Sequence, residues 1–130
     1  MTVIAALAVA LGAAIGAPLR WSVERRLVGR LPWGTFAVNI VGSFIVGAVI
    51  GTCAALTSSG RMPLSPQLVL FINAGFCGAL TTFGGVAAQV LHLAGPGQRR
   101  IGVGLAYATG TVVVAIAASA LGWQLANTVI

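Results

Sequence analysis

The sequence predicts an all-α integral membrane protein with four transmembrane helices, lying almost wholly in the bilayer. Three observations carry that expectation. Hydrophobic residues make up 58% of the chain and charged residues only 6%, with a mean hydropathy of +1.05; a soluble domain needs about a quarter of its residues charged to cover its surface. The seven arginines and one glutamate sit in short gaps, so that Leu31 to Gly60, Met62 to Gln98 and Ile101 to Ile130 carry no charge. Each of those blocks can hold the roughly 20 residues that cross a core of about 30 Å. Finally, Pro and Gly mark the connections or their edges. Backbone groups in lipid are satisfied only by helices or closed barrels, and apolar blocks of this length mean helices.

The first span runs from about Thr2 to Leu19, at the short end of the range. No basic residue precedes it, so it does not read as a cleavable signal peptide. The second, about Trp33 to Leu56, follows Pro32. The third, about Leu68 to Leu93, follows Pro63 and Pro66. The fourth, about Ile101 to Thr128, follows Gly95-Pro96-Gly97. The chain reads as one four-helix transmembrane domain over residues 1–130. Gly12-x-x-x-Gly16 in the first span and Gly47-x-x-x-Gly51 in the second let helix backbones approach closely. They fit oligomer contacts and intrachain packing equally well. Asn39 lies near the start of the second span, with Ser43 one turn later on the same face.

Six of the seven arginines (Arg20, Arg25, Arg26, Arg30, Arg99 and Arg100) belong to the first and third loops or their edges, and Arg61 alone to the second. The positive-inside rule then places loops one and three in the cytoplasm and both termini outside. The net charge of +6 and pI near 11.6 do not indicate a nucleic-acid partner, because the charge occurs only where membrane proteins keep it. Cys53 and Cys77 are isolated in apolar segments and read as small apolar fillers. His92 reads as an interfacial residue. With no nucleophile–base pair or metal cluster in the pattern, an enzyme is not expected.

The third span is unusual. Asn73 to Gly85 holds four glycines and the adjacent pair Thr81-Thr82, and glycine costs a helix about 1 kcal/mol relative to alanine. A break is expected there, and non-helical backbone at membrane depth must be buried in protein or line a cavity. Broken helices expose carbonyls and N–H groups that transport proteins use as ion sites. A Gly-rich packing face on an unbroken helix is the competing interpretation.

Three motifs in order carry a resemblance over the whole chain: Gly12-x-x-x-Gly16-Ala17-x-x-Arg20; Trp33-Gly34-Thr35-x-x-Val38-Asn39-x-x-Gly42-Ser43-Phe44-x-x-Gly47; and Gly75-Phe76-x-Gly78-x-x-Thr81-Thr82-Phe83. The sequence resembles the small fluoride channels of the CrcB/Fluc family. The resemblance implies an antiparallel, dual-topology dimer with two narrow fluoride pores at the subunit interface. It implies a structural Na+ at the dimer centre, held by backbone carbonyls at the break, here those of Gly78 and Thr81; hard cations take oxygen ligands. It places Asn39, Ser43, Thr82, Phe83, Tyr107 and Arg20 along the fluoride path. An amide donates two N–H groups, and a phenyl edge carries partial positive charge. Such a path replaces water around fluoride without a fixed cation to trap it.

The sequence departs from the family pattern after Phe83. Gly84, Gly85 and Val86 stand where the family carries Ser, a small polar residue and a second Phe, and Gln89 stands where many members have Glu. The family includes two-gene versions in which one pore has degenerated. With the arginine bias, which opposes insertion both ways, this suggests a heterodimer with an oppositely oriented paralogue rather than a homodimer. The leading expectation is a fluoride-selective passive channel in the cell membrane that exports cytoplasmic fluoride and relieves its toxicity. The alternative is a degenerate, non-conducting subunit that completes a partner's pore. A small multidrug exporter is disfavoured: it needs a membrane-embedded carboxylate, and the only acid, Glu24, belongs to a basic loop beyond the first span.

Overall fold

The structure, a computed structural model, describes residues 2–95 and 101–130. Pro96 and Gly97 of the third connection and the arginines Arg99 and Arg100 lie outside the described residues. Two long helices open the chain: α1 (Val3–Arg26) and α2 (Trp33–Ser58). The third span is built in pieces. α3 (Pro66–Val69) passes into a π-helical run (Leu70–Cys77) and then α4 (Gly78–Leu80); after a break comes α5 (Phe83–Ala94). α6 (Ile101–Val129) is the fourth span. All four spans are long and apolar enough to cross a membrane. The most enclosed of them has only 28% of its apolar window buried, so most of that apolar surface faces outward. A helix that is hydrophobic all round and still uncovered belongs in lipid or against another membrane chain. The protein is a multi-pass membrane protein.

The helix ends follow local chemistry. Thr2 caps α1 and Ser65 caps α3, each accepting a backbone N–H with its side-chain oxygen, and Pro66 stands at the first position of α3, where its missing N–H costs nothing. α2 ends in a Schellman motif. Gly60 is in the left-handed region (φ 70°), its N–H donates to Thr57 O at 3.1 Å, and Arg61 N–H donates to Leu56 O at 2.9 Å. α1 continues through Pro18 to Arg26, past the expected end at Leu19. The apolar block ends at Leu19, but the helix runs on into the polar layer, where Arg25 and Arg26 complement its C-terminal dipole. Arg25 stacks over the Trp21 ring at 4.6 Å. Trp21 and Trp33 at this end, and Trp123 near the other, are exposed, as interfacial aromatic belts require.

Two helix pairs organise the bundle. α2 packs along α6, and α1 packs along the first half of the third span. Glycine permits both contacts. A Cβ on Gly47 would collide with Ser119 O, and one on Gly51 would lie 2.5 Å from Trp123 O. Gly122 answers from α6, where a Cβ would meet Phe44 O. Between α1 and the third span, Gly12 and Gly16 face the Phe71 and Phe76 carbonyls. Both Gly-x-x-x-Gly pairs are therefore spent on packing within the chain.

The expected break lies at Thr81 and Thr82, which are extended (φ −81°, ψ 157° and φ −153°, ψ 117°). The packing face expected as its competitor is present too, because Gly75 N-terminal to the break is seated against Val9 and Gly12 of α1. The stretch combines both.

Candidate functional site at the helix break

The break parts the N–H groups of residues 82–85 from the carbonyls of residues 78–81, and two of those donors find side-chain partners. In an unbroken helix the Thr82 N–H would serve Gly78 O and the Gly85 N–H would serve Thr81 O. Here Thr82 N–H donates to Asn39 Oδ1 at 2.9 Å, and Gly85 N–H donates to Thr82 Oγ1 at 2.9 Å, capping α5. Gly78 O and Thr81 O thereby lose their helical donors. Thr81 keeps its hydroxyl local, donating to Cys77 O at 2.9 Å, where its own N–H also donates.

Asn39 organises this site from α2. It is buried, and its Nδ2 donates to Thr35 O at 2.8 Å and Thr82 O at 3.3 Å. Its orientation is fixed chemically: the Thr82 N–H can only donate, so the atom opposite it is the amide oxygen. Gly42, one turn below, leaves space for the Thr81 methyl group. Arg20 is half-buried on α1 and its Nη1 reaches Thr81 O at 3.5 Å. The fold thus brings together Arg20, Asn39, Thr81 and Thr82, from residues 61 and 43 positions apart.

The other expected site residues are placed differently. Tyr107 sits toward the loop-one end of the bundle, donating its hydroxyl to Pro32 O at 3.1 Å. Ser43 is half-buried one turn from Asn39. Phe83 opens α5 and is 80% exposed, on the rim of an apolar groove of ≈ 580 Å³ between α5 and α6. Val86, where the family carries its second Phe, is buried at 6% exposure. Phe83 is thus presented outward, toward lipid or another chain.

Two residues of the site escaped the sequence reading. Glu24 is not in a loop but in the last turn of α1, half-buried, with its Oε1 accepting from Thr35 Oγ1 at 3.2 Å. Thr35 is 3% exposed and joins this carboxylate to Asn39 through its carbonyl. A Cβ on Gly34 would lie 2.6 Å from Glu24 Cα, so the Trp33-Gly34-Thr35 sequence seats the start of α2 on α1. The available signal was the four-residue spacing of Arg20 and Glu24, which puts both on one face if the helix is allowed to continue.

A bundle of four membrane helices with one broken span, clamped by a buried amide, is an architecture of the class that membrane transport proteins use. The sequence model of the family described as "CrcB-like protein, Camphor Resistance (CrcB)" matches residues 7–123, and the chain belongs to this family. It is 39% identical to "Fluoride-specific ion channel FluC 1" of Frankia casuarinae, over 91% of this chain and 92% of that one. It is 36% identical to "Fluoride-specific ion channel FluC" of Pseudomonas aeruginosa, over 88% and 84%, and 44% identical to that of Chromobacterium violaceum, over 71% of each.

Proposed function

We propose that this chain is a subunit of a fluoride-selective passive channel that lets cytoplasmic fluoride leave the cell. The observation that carries the proposal is the break at Thr81–Thr82 held by Asn39, in a chain similar over most of its length to proteins named as fluoride-specific channels. Fluoride is strongly hydrated, so a path must offer replacement donors that hold it loosely. Ser43, Thr82 and the edge of Phe83 supply such groups beside the break. Both Asn39 amide hydrogens are committed to backbone carbonyls, so its part is to hold Thr82 in place. No catalytic step is required, since the membrane potential alone drives an anion outward.

The outward placement of Phe83 and the uncovered apolar helices favour a two-chain assembly, with the path completed by a second subunit. The Gly78 and Thr81 carbonyls, deprived of helical donors, fit a hard monovalent cation such as Na+. An antiparallel second chain would double the carbonyls that one chain offers. Such an ion would supply fixed positive charge at the centre of the assembly. The Arg20 contact at 3.5 Å is long enough, and a carbonyl has lone pairs enough, for Thr81 O to serve both.

Orientation follows from the arginines: loops one and three lie in the cytoplasm and the termini outside, which favours pairing with an oppositely inserted paralogue. The replacement of the second Phe by buried Val86 supports the further reading that this subunit mainly completes its partner's pore. Fluoride efflux from liposomes, followed with a fluoride electrode and with chloride as control, tests these readings. Fast chloride-excluding efflux is expected when the chain is co-purified with its paralogue. Efflux from the chain alone would establish a homodimer, and no efflux from either folded preparation would sink the channel reading.

A further inference from the structure

We propose that Glu24 is a rate-setting counter-charge at the loop-one mouth of the path, a role that rests on the fluoride reading above. The mouth is a polar cavity of ≈ 300 Å³ lined by Glu24, Arg30, Thr35, Gln89 and His92 among others. It opens between the end of α1, the first loop, the start of α2 and the end of α5. Glu24 is the only acid in a chain with seven arginines, and it is held in this cavity rather than left at the surface. Thr35 Oγ1 donates to its Oε1 at 3.2 Å, Thr35 O accepts from Asn39, and Asn39 accepts from the Thr82 N–H. The carboxylate is therefore tied to the same contacts that fix the break.

The charged and titratable groups around it explain why it is needed. Among the described residues, Arg30 faces the cavity from the loop and His92 from α5. Arg20 lies one turn before Glu24 on α1, directed at Thr81 O, and Tyr107 of α6 bonds to Pro32 O at the rim. An anion entering from this side meets arginine charge at the mouth and again at the break. Conduction requires binding strong enough to enter and weak enough to leave, and arginines without compensation would favour only the first. Glu24 offsets them, lowering the residence time of the anion at the cost of slower capture when fluoride is scarce.

The test is the concentration dependence of fluoride efflux from liposomes holding the full chain, with its partner subunit where transport requires one. Glu24→Gln is expected to lower the half-saturating fluoride concentration about fivefold, the factor supplied by one unit charge at about 4 Å in a water-like dielectric, and to lower the maximal rate as well. Arg30→Gln should move half-saturation the other way, and the double variant should return it to the wild-type value. A merely structural role for Glu24 would depress efflux at every concentration without moving half-saturation. Wild-type efflux with half-saturation unmoved by Glu24→Gln overturns the proposal; should that variant not fold, unmoved half-saturation in Arg30→Gln overturns it equally. Absence of wild-type efflux overturns the fluoride reading and this role with it.

Discussion

The α2–α6 pair and the third span solve the same problem in opposite ways. In the pair, the helices run unbroken and close their interior backbone bonds on themselves, and glycines let the two backbones touch. In the third span the helix switches to π-helical turns, stops at Thr81–Thr82 and restarts, so backbone groups must find partners elsewhere. Hydrocarbon penalises an unpaired backbone group by several kcal/mol, so the break persists only because Asn39 and the Thr82 hydroxyl reclaim two donors. The pair closes its contacts within the chain, and the break leaves backbone carbonyls open to other partners.

The first way to probe this contrast is to damage the pair. Gly47→Leu puts a Cβ within 2.7 and 2.8 Å of the Ser119 carbonyl carbon and Cα. Backbone cannot swing aside as a side chain can, so the helices must separate. Overpacking of this kind costs about 1–3 kcal/mol and sometimes more. The expected result is loss of the folded protein, read as aggregation on size-exclusion chromatography in detergent. A monodisperse Gly47→Leu protein of normal thermal stability would show that the α2–α6 contact is not tight.

Damage to the break should be gentler on folding and severe on transport. Asn39→Leu strips the Thr82 N–H and C=O of their partner, and each buried unpaired group costs about 1–3 kcal/mol. The protein is expected to survive in detergent with a lowered Tm and no fluoride efflux. Asn39→Asp, which can still accept from the Thr82 N–H, is expected to recover part of the stability. Smaller again is Thr82→Ala, which removes the cap of α5 at about 1 kcal/mol. Thr82→Ser keeps the acceptor and should unfold with the wild type. If Ala and Ser behave alike, the hydroxyl is not the cap.

These expectations also show how far the sequence could be read. The four spans were legible because apolar length and gap charge are one-dimensional quantities. The break was legible because glycines and paired threonines weaken a helix wherever they fall. Residue types alone spread it over Asn73 to Gly85, and the family resemblance narrowed it to the region of Gly78 and Thr81; what fixes it at Thr81–Thr82 is Asn39 arriving from α2 to take the Thr82 N–H. The π-helical run at Leu70–Cys77 has no signature in residue type; it arises where this segment packs on α1. Glu24 reads as a loop residue in the sequence because the apolar run ends at Leu19, whereas the helix continues to Arg26. Phe83 was named as a site residue, but one chain leaves it facing outward, and no property of a single sequence says what covers it.

The smallest expected effect concerns Asn73, in the π-helical run. Among the described residues its Oδ1 is the buried side-chain acceptor with no hydrogen-bond partner. The contrast with Asn39 is instructive: two asparagines lie in neighbouring spans, one with every polar atom engaged and one with its oxygen orphaned. Replacing a satisfied group exposes its partners to the full desolvation cost, whereas replacing an orphan removes a cost already present. Asn73→Leu is therefore expected to leave the thermal stability of the isolated subunit unchanged or raise it by less than about 1 kcal/mol, while Asn39→Leu lowers it. Measured on whatever assembly the chain forms with a second subunit, the same variant sharpens the comparison. A drop in stability there, with none in the single chain, would mean that a donor from the second subunit reaches Asn73 Oδ1. A drop in both would mean that a donor within this chain already serves it, and that the two asparagines do the same work.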